Sequence, residues 1–298
     1  MIDETVTLAS EALEAVFAPA AGMVGCSLRH RGTELLGLRG GLEAYRARGM
    51  TFGIPLLYPW ANRLSERRFA VAGRDVDLDP DRAPVRLDEH DLPIHGLMAA
   101  ASGWAVEARE ATRLAARFDW GAHRALMTAF PFAHEMAIEM TLDGATLTIR
   151  TVVDASAGAP VPIAFGFHPY LQLPDVPRAD WQVEIPSRER LELDERTLPT
   201  GRRQPVEPFS GTLGSRTFDD AYTAPPARAP FVLAGGGRRI ELTFDAGYGY
   251  AQVFAPASED LIAFEPMTAP ANALVTGPPV LEPGERLSAS FSITVHDA

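Results

Sequence analysis

Residues 286–296 read Arg-Leu-Ser-Ala-Ser-Phe-Ser-Ile-Thr-Val-His. Leu287, Ala289, Phe291, Ile293 and Val295 fall on one parity, and Ser288, Ser290, Ser292 and Thr294 on the other. Successive side chains of a strand point to opposite faces, so this alternation specifies a strand with one buried and one wet face. The same period of two recurs in Leu114, Ala116, Phe118 and Trp120, and in Ile240, Leu242 and Phe244. Met136–Val153 reads as a hairpin about Asp143-Gly144, a dipeptide that tolerates the positive φ of a tight turn. Further strands are expected near Thr5–Leu8, Glu14–Phe17, Trp104–Glu110, Trp181–Ile185, Gln252–Phe254 and Leu261–Phe264. Helical periodicity is confined to Ser10–Ala15, which is short, and to Leu36–Arg46, which glycines interrupt. The breaker clusters Asp79–Pro84, Gly158–Pro162, Pro225–Pro230 and Gly235-Gly236-Gly237 are each loop-sized. The pattern predicts an all-β, mainly antiparallel sandwich or barrel, with residues 1–298 forming one domain.

Composition narrows the chemistry. The chain has 39 acidic and 27 basic residues, a net charge of −12. Such a charge repels polyanions, so nucleic acid and anionic membranes are not expected partners. All 27 basic residues are arginine. The absence of lysine removes Schiff-base catalysis, a covalently held pyridoxal cofactor and the phosphate-loop lysine. Cys26 is the sole cysteine, so neither an internal disulfide nor a cysteine-built metal site is available, and its apolar neighbours read it as a small core residue. The acidic start Met1-Ile2-Asp3-Glu4 and the lack of a long apolar run predict no signal peptide, no membrane span and a cytoplasmic location.

Four segments interrupt apolar strands with polar chemistry. Gly53–Arg63 is an apolar run ending in Asn62-Arg63, side chains suited to sugar hydroxyls or carboxylates; a core segment surfacing at Arg63 is the plainer alternative. Pro93-Ile94-His95-Gly96 puts a histidine in a tight turn, more often a structural than a catalytic position. Ala164–Tyr170 frames His168 with aromatics, where burial and a neighbouring carboxylate shift an imidazole in opposite directions. Ile262–Met267 carries Glu265 inside an apolar strand, a placement that costs free energy unless the carboxylate is paired or used. His95, His168 and Glu265 are also the types of a two-histidine-one-carboxylate metal site, but their spacing contains no local metal motif. No Gly-x-Ser-x-Gly elbow is present, and the glycine triplet at 235–237 precedes a strand rather than a helix. His30, His90, His123, His134 and His296 read as surface or structural residues.

Taken in order, these segments resemble the aldose 1-epimerase (galactose mutarotase) family over almost the whole chain. The resemblance rests on Val6-Thr7-Leu8 through Gly32–Leu36, Pro59-Trp60-Ala61-Asn62-Arg63, Ile94-His95-Gly96, Phe167-His168-Pro169-Tyr170, Phe218–Tyr222, Phe264-Glu265-Pro266-Met267 and Leu281–Glu285. It implies a large galactose mutarotase-like β-sandwich that opens and recloses a cyclic hemiacetal without cofactor or metal. His168 is implied as general acid, Glu265 as general base, and His95 as a hydrogen-bonding group near the ring oxygen. Asn62, Arg63, Asp219 (or its neighbour Asp220) and Gln252 are implied as hydroxyl ligands. Acid and base are expected on opposite sides of the anomeric centre, each with a pKa near neutrality. Trp60, Tyr58 or Phe165 is available to face the sugar ring, with core packing as the alternative. The Phe-His-Pro-Tyr segment departs from the Asn-His-Ser-Tyr-Phe type of the galactose-specific branch, which leaves the preferred sugar open. Two alternatives accompany this reading: a hexose-6-phosphate 1-epimerase whose phosphate is held by Arg67, Arg68 or Arg74, and a non-catalytic carbohydrate-binding or sensor protein on the same sandwich. Oligomeric state is not encoded in any of these features.

Overall fold

The computed structural model describes residues 5–155 and 158–297; Met1–Glu4, which carry the reading of an acidic start, lie outside the described residues. Two large antiparallel sheets face one another. The first has nine strands, in the order Phe209–Thr212, Gln182–Ile185, Phe231–Gly235, Arg238–Ala246, Arg286–Asp297, Thr146–Asp154, Glu135–Asp143, Arg113–Asp119 and Ala105–Arg109. Arg286–Asp297 lies at its centre, where Ala289, Phe291, Ile293 and Val295 are buried and the intervening residues remain partly exposed. The hairpin about Asp143-Gly144 and the one turning at Gly236-Gly237 both form as the turn chemistry predicts.

The second sheet runs Pro199–Pro205, Glu189–Leu193, Phe218–Thr223, Tyr250–Ala255, Ile262–Met267, Gly166–Phe167 and Leu56–Leu57, with Tyr170–Leu171 also paired to Ile262–Met267. Aromatic contacts lock the sheets together. Phe264 stacks on Phe231 with centroids 5.2 Å apart, and Phe167 meets Phe291 at 5.1 Å. Truncating such a buried ring typically costs about 3–5 kcal/mol. A slip of one residue would drive Glu265 into this apolar layer, so register is strongly specified. All six residues of Ile262–Met267 are buried, Phe264 against Phe231 on one face and Met267 in a small cluster with Leu57 and Ala61.

Smaller elements complete the fold. Four short strands, Val6–Ala9, Leu13–Ala18, Val24–His30 and Thr33–Glu34, form a separate sheet. Ser10–Ala15, whose spacing reads as helical, is instead a turn entering a strand. The Ser10 hydroxyl accepts from the backbone N–H groups of Ala12 and Leu13, a local bond that competes with helix formation. The helix expected at Leu36–Arg46 begins only at the last of its glycines and spans Gly41–Arg48. Cys26 is half-buried beside an apolar cluster, and burial pushes its thiol up to about 11. Among the described residues no helix is long and apolar enough to cross a membrane.

The sheet margins share a property. Ala105–Arg109 is broken by a bulge between Val106 and Ala108 and carries Glu107 and Arg109. Phe209–Thr212 has four residues and Leu56–Leu57 two. Pro199–Pro205 starts and ends in proline and bears Arg202 and Arg203.

Candidate active site

The register of the second sheet brings the polar residues together. Gly166 opposes Met267 and Tyr170 opposes Ala263, so His168, midway between, falls opposite Glu265. Glu265 is paired in turn with Gln252, and Gln252 with Ala221. One row over, Ala263 pairs with Phe254 and Phe254 with Asp219. Cross-strand partners share a face. His168, Glu265, Gln252, Tyr170, Phe254 and Asp219 therefore stand on the side away from the Phe264 layer. Asp220 has the opposite parity and accepts from Arg190 at 3.2 Å, which selects Asp219 as the aspartate of the cleft.

Two loops close the cleft. Asn62 and His95 both adopt left-handed backbone (φ 58° and 62°), and the His95 N–H donates to the Asn62 carbonyl at 3.0 Å. Asn and His tolerate that region better than branched residues do. Gly96 follows at φ 74°, and a Cβ there would lie 2.2 Å from the Tyr58 carbonyl oxygen, so the Ile-His-Gly turn admits only glycine at its third position. Gly96→Ala is expected to cost at least about 1–3 kcal/mol from backbone strain alone and to displace His95. Thermal unfolding checks this: a variant melting with the wild type would show the turn to be pliable.

The resulting cleft has a volume of about 310 Å³, at the small end of the usual 300–1,000 Å³ range for small-molecule sites. His168 Nε2 lies 3.1 Å from Glu265 Oε1, and both side chains are almost fully buried. Glu265 Oε2 has no hydrogen-bond partner among the described residues, nor has His95 Nδ1. Tyr170 stacks flat on the His168 ring at 4.0 Å, and its hydroxyl is held by Thr51 Oγ1 at 2.6 Å. Arg39 donates to the Thr51 carbonyl and is itself clamped by both Glu259 oxygens at 2.9 Å. Arg63 donates to Asp88 at 2.6 Å and to Glu89 at 3.2 Å.

Several expectations need correction. His168 and Glu265 are neighbours rather than groups held apart, because strand register sets them across one pair. Their pKa values also move in opposite directions. Burial, reinforced by Asp219, pushes the Glu265 carboxyl well above the usual carboxylate range, while burial and the Arg39 charge push the His168 imidazole down. Both shifts favour uncharged forms. Gln252, across the strand pair from Glu265, donates its amide to Asp219 at 2.6 Å. Tyr58, Trp60 and Phe165 belong to the core, with the Tyr58 hydroxyl 2.5 Å from His134 Nε2. The ring-sized aromatics that do face the cleft are Tyr170 and Phe254. None of the three candidate phosphate holders reaches it: Arg67 pairs with Asp91, Arg68 with Asp77 at 3.2 Å, and Arg74 donates to the Pro131 carbonyl. Among the described residues no group of three His, Cys, Asp or Glu side chains is arranged to hold a metal.

The sequence profile of the aldose 1-epimerase family matches residues 4–294. The chain belongs to the aldose 1-epimerase family. Solved structures with the same fold include the Slr1438 protein of Synechocystis sp. PCC 6803, at 23% identity and a TM-score of 0.79 over 100% of this chain and 97% of that one. A galactose mutarotase-like protein of Clostridium acetobutylicum gives 17% identity and a TM-score of 0.81, covering 98% and 95% of the two chains. A galactose 1-epimerase of Lactobacillus acidophilus NCFM gives 14% and 0.74, covering 98% and 94%. In this aldose 1-epimerase family member, Arg39, Thr51, Arg86, Asp88 and Phe254 line the cleft without having stood out in the sequence.

Buried imidazoles give this family member a pH-dependent stability. Burial pushes His95 and His168 down, and His134 down to about 4. In the unfolded chain each binds a proton near pH 6.5. Between those limits the unfolded state holds more protons at these three sites, so stability falls as pH falls. Glu265 opposes this, since its native carboxyl keeps a proton that the unfolded chain releases above about 4.3. Three imidazoles outweigh one carboxyl, so Tm is expected to drop on titration from pH 7 to 5. A Tm that stays level or rises over that interval would contradict the assignment of neutral buried histidines.

Proposed function

We propose that this protein interconverts the α and β anomers of an aldose by paired proton transfer, as an isomerase needing no cofactor, working in the cytoplasm. What carries the reading is the 3.1 Å approach of His168 Nε2 to Glu265 Oε1 in a cleft of sugar size, with Glu265 Oε2 left unpartnered.

Opening the ring requires a proton to leave the C1 hydroxyl and another to reach the ring oxygen as the bond from C1 to that oxygen breaks. Those two oxygens share one carbon, so acid and base serve best side by side. Transfer of the Glu265 proton to His168 across their 3.1 Å contact gives the ionised pair; Glu265 as carboxylate then takes the hydroxyl proton, and His168 as imidazolium protonates the ring oxygen. The open aldehyde then faces a protonated carboxyl and a neutral imidazole, the combination that burial favours. Rotation about C1–C2 and the reverse transfers close the other anomer. Asn62, Arg63 and Asp219 hold hydroxyls. Asp219 is kept in place by Gln252, and Arg63 by Asp88 and Glu89.

Polarimetry of freshly dissolved α-glucose and α-galactose tests the reading, with Glu265→Gln as the control. Acceleration of anomer exchange that vanishes in the variant supports it. Saturable sugar binding with no acceleration by the wild type would favour the carbohydrate-binding alternative.

A further inference from the structure

Side chains two residues apart on one face of an extended chain stand about 6–7 Å from each other. His168 and Tyr170 share a face opposite Ile262–Met267, yet their rings lie flat together, with centroids 4.0 Å apart and planes 15° from parallel. The two rings therefore lean toward each other, and the lean is fixed from the tyrosine end. The Tyr170 hydroxyl meets Thr51 Oγ1 at 2.6 Å. The Tyr170 N–H donates to the Gly53 carbonyl at 2.8 Å, and the Gly37 N–H donates to the Tyr170 carbonyl at 2.9 Å. Arg39 secures Thr51 in turn by donating to its carbonyl at 3.1 Å.

A histidine that gains a proton in catalysis commonly donates its second N–H to a carboxylate or carbonyl, which orients the ring and supports the imidazolium. His168 is not supported in that way: its Nδ1 reaches no hydrogen-bond partner on any other described residue. Arg39 and Arg86 add a positive field that works against a charged ring. The remaining neighbours are aromatic. Phe254 and His95 meet the imidazole edge to face, at 5.7 and 5.6 Å, and Tyr170 alone lies parallel to it. The face of a phenol ring carries negative electrostatic potential and attracts a cation within about 6 Å, most strongly where water is excluded. His168 and Tyr170 are both buried.

We propose that Tyr170 is a positioning residue for His168: its ring orients the imidazole toward Glu265, and its π face stabilises the imidazolium that forms when a proton crosses from Glu265 Oε1 to His168 Nε2. In that step the O–H bond of the carboxyl breaks and the N–H bond of the imidazolium forms, so the two charges created stay within the pair. Tyr170 thus sets the strength of the acid as well as its direction. Thr51 and Arg39 act one step further out, by keeping the phenol ring parallel to the imidazole. The inference rests on the epimerase reading for the demand that His168 become charged.

The test holds the shape of the ring and changes its electrons. Tyr170→Phe is compared with a variant carrying trifluorophenylalanine at position 170, where fluorine withdraws density from the π face at nearly constant size. Two quantities are measured. The first is kcat for anomer exchange of glucose and galactose, read at saturating sugar so that any contact between ring and substrate, which acts on KM, does not enter. The second is the NMR shift of the His168 Nε2 nitrogen at neutral pH without sugar, which reads how far the Glu265 proton is drawn toward it. The fluorinated variant should be slower than Tyr170→Phe by about 10-fold or more, and its Nε2 shift should move toward that of an unprotonated nitrogen. A ring that served packing alone would leave both quantities equal in the two variants. An equal Nε2 shift would overturn the proposal, as would an equal kcat in the presence of an active wild type. A shift that follows the fluorination while the wild type turns over no aldose would sustain the support of His168 by Tyr170 and reject the epimerase reading instead.

Discussion

Glu265→Gln is expected to slow anomer exchange by about 10²–10⁴-fold, the usual contribution of one positioned acid or base. The substitution keeps the shape of the side chain and removes its ability to take a proton. A neutral amide also suits the site, because burial raises the carboxyl's pKa and so favours its uncharged form. Folding should therefore be little affected, with Tm within a few degrees of wild type. Polarimetry gives the rate and thermal unfolding the control. A variant with near wild-type rates would remove Glu265 from the chemistry. Collapse of the fold together with the rate would leave Glu265 as a structural group in a differently balanced charge network.

His168→Gln should be comparably damaging, and the informative measurement is the double variant. The two groups exchange roles in every turnover, so removing either stops the same proton circuit. Their losses should then not add: Glu265→Gln with His168→Gln is expected to be about as slow as either single change. Independent action would instead multiply the two losses. In His168→Gln the flat contact with Tyr170 is also lost. Tyr170→Phe, which removes the hydroxyl held by Thr51 but keeps the ring, shows how much of the effect is packing.

Much of this arrangement is legible in the sequence, and the parts that are not have identifiable reasons. Arg286–Asp297 and the Asp143-Gly144 hairpin follow from alternation and turn chemistry, which are local. Glu265 could be flagged because a carboxylate inside an apolar strand is costly. Its partner at position 168 could not be found that way, since their meeting depends on register between distant strands. Phe218–Thr223 escapes a periodicity search because Asp219 and Asp220 face opposite ways, one toward the cleft and one toward Arg190. Gln252 stands out in sequence as a ligand, but its 2.6 Å hydrogen bond to Asp219 depends on the register of two strands and is not legible there. Arg86 was hidden among 27 arginines. What sets it apart is its place in the cleft wall, and that is a property of space rather than of order along the chain.

The margins of the two sheets have a consequence for life at high concentration. A strand is extended most readily by a newcomer that finds a long, flat row of free amides and carbonyls. Here every border is too brief, kinked by an extra residue, ionised, or closed by imino acids that offer no N–H. Lateral recruitment of further copies along these margins is therefore disfavoured.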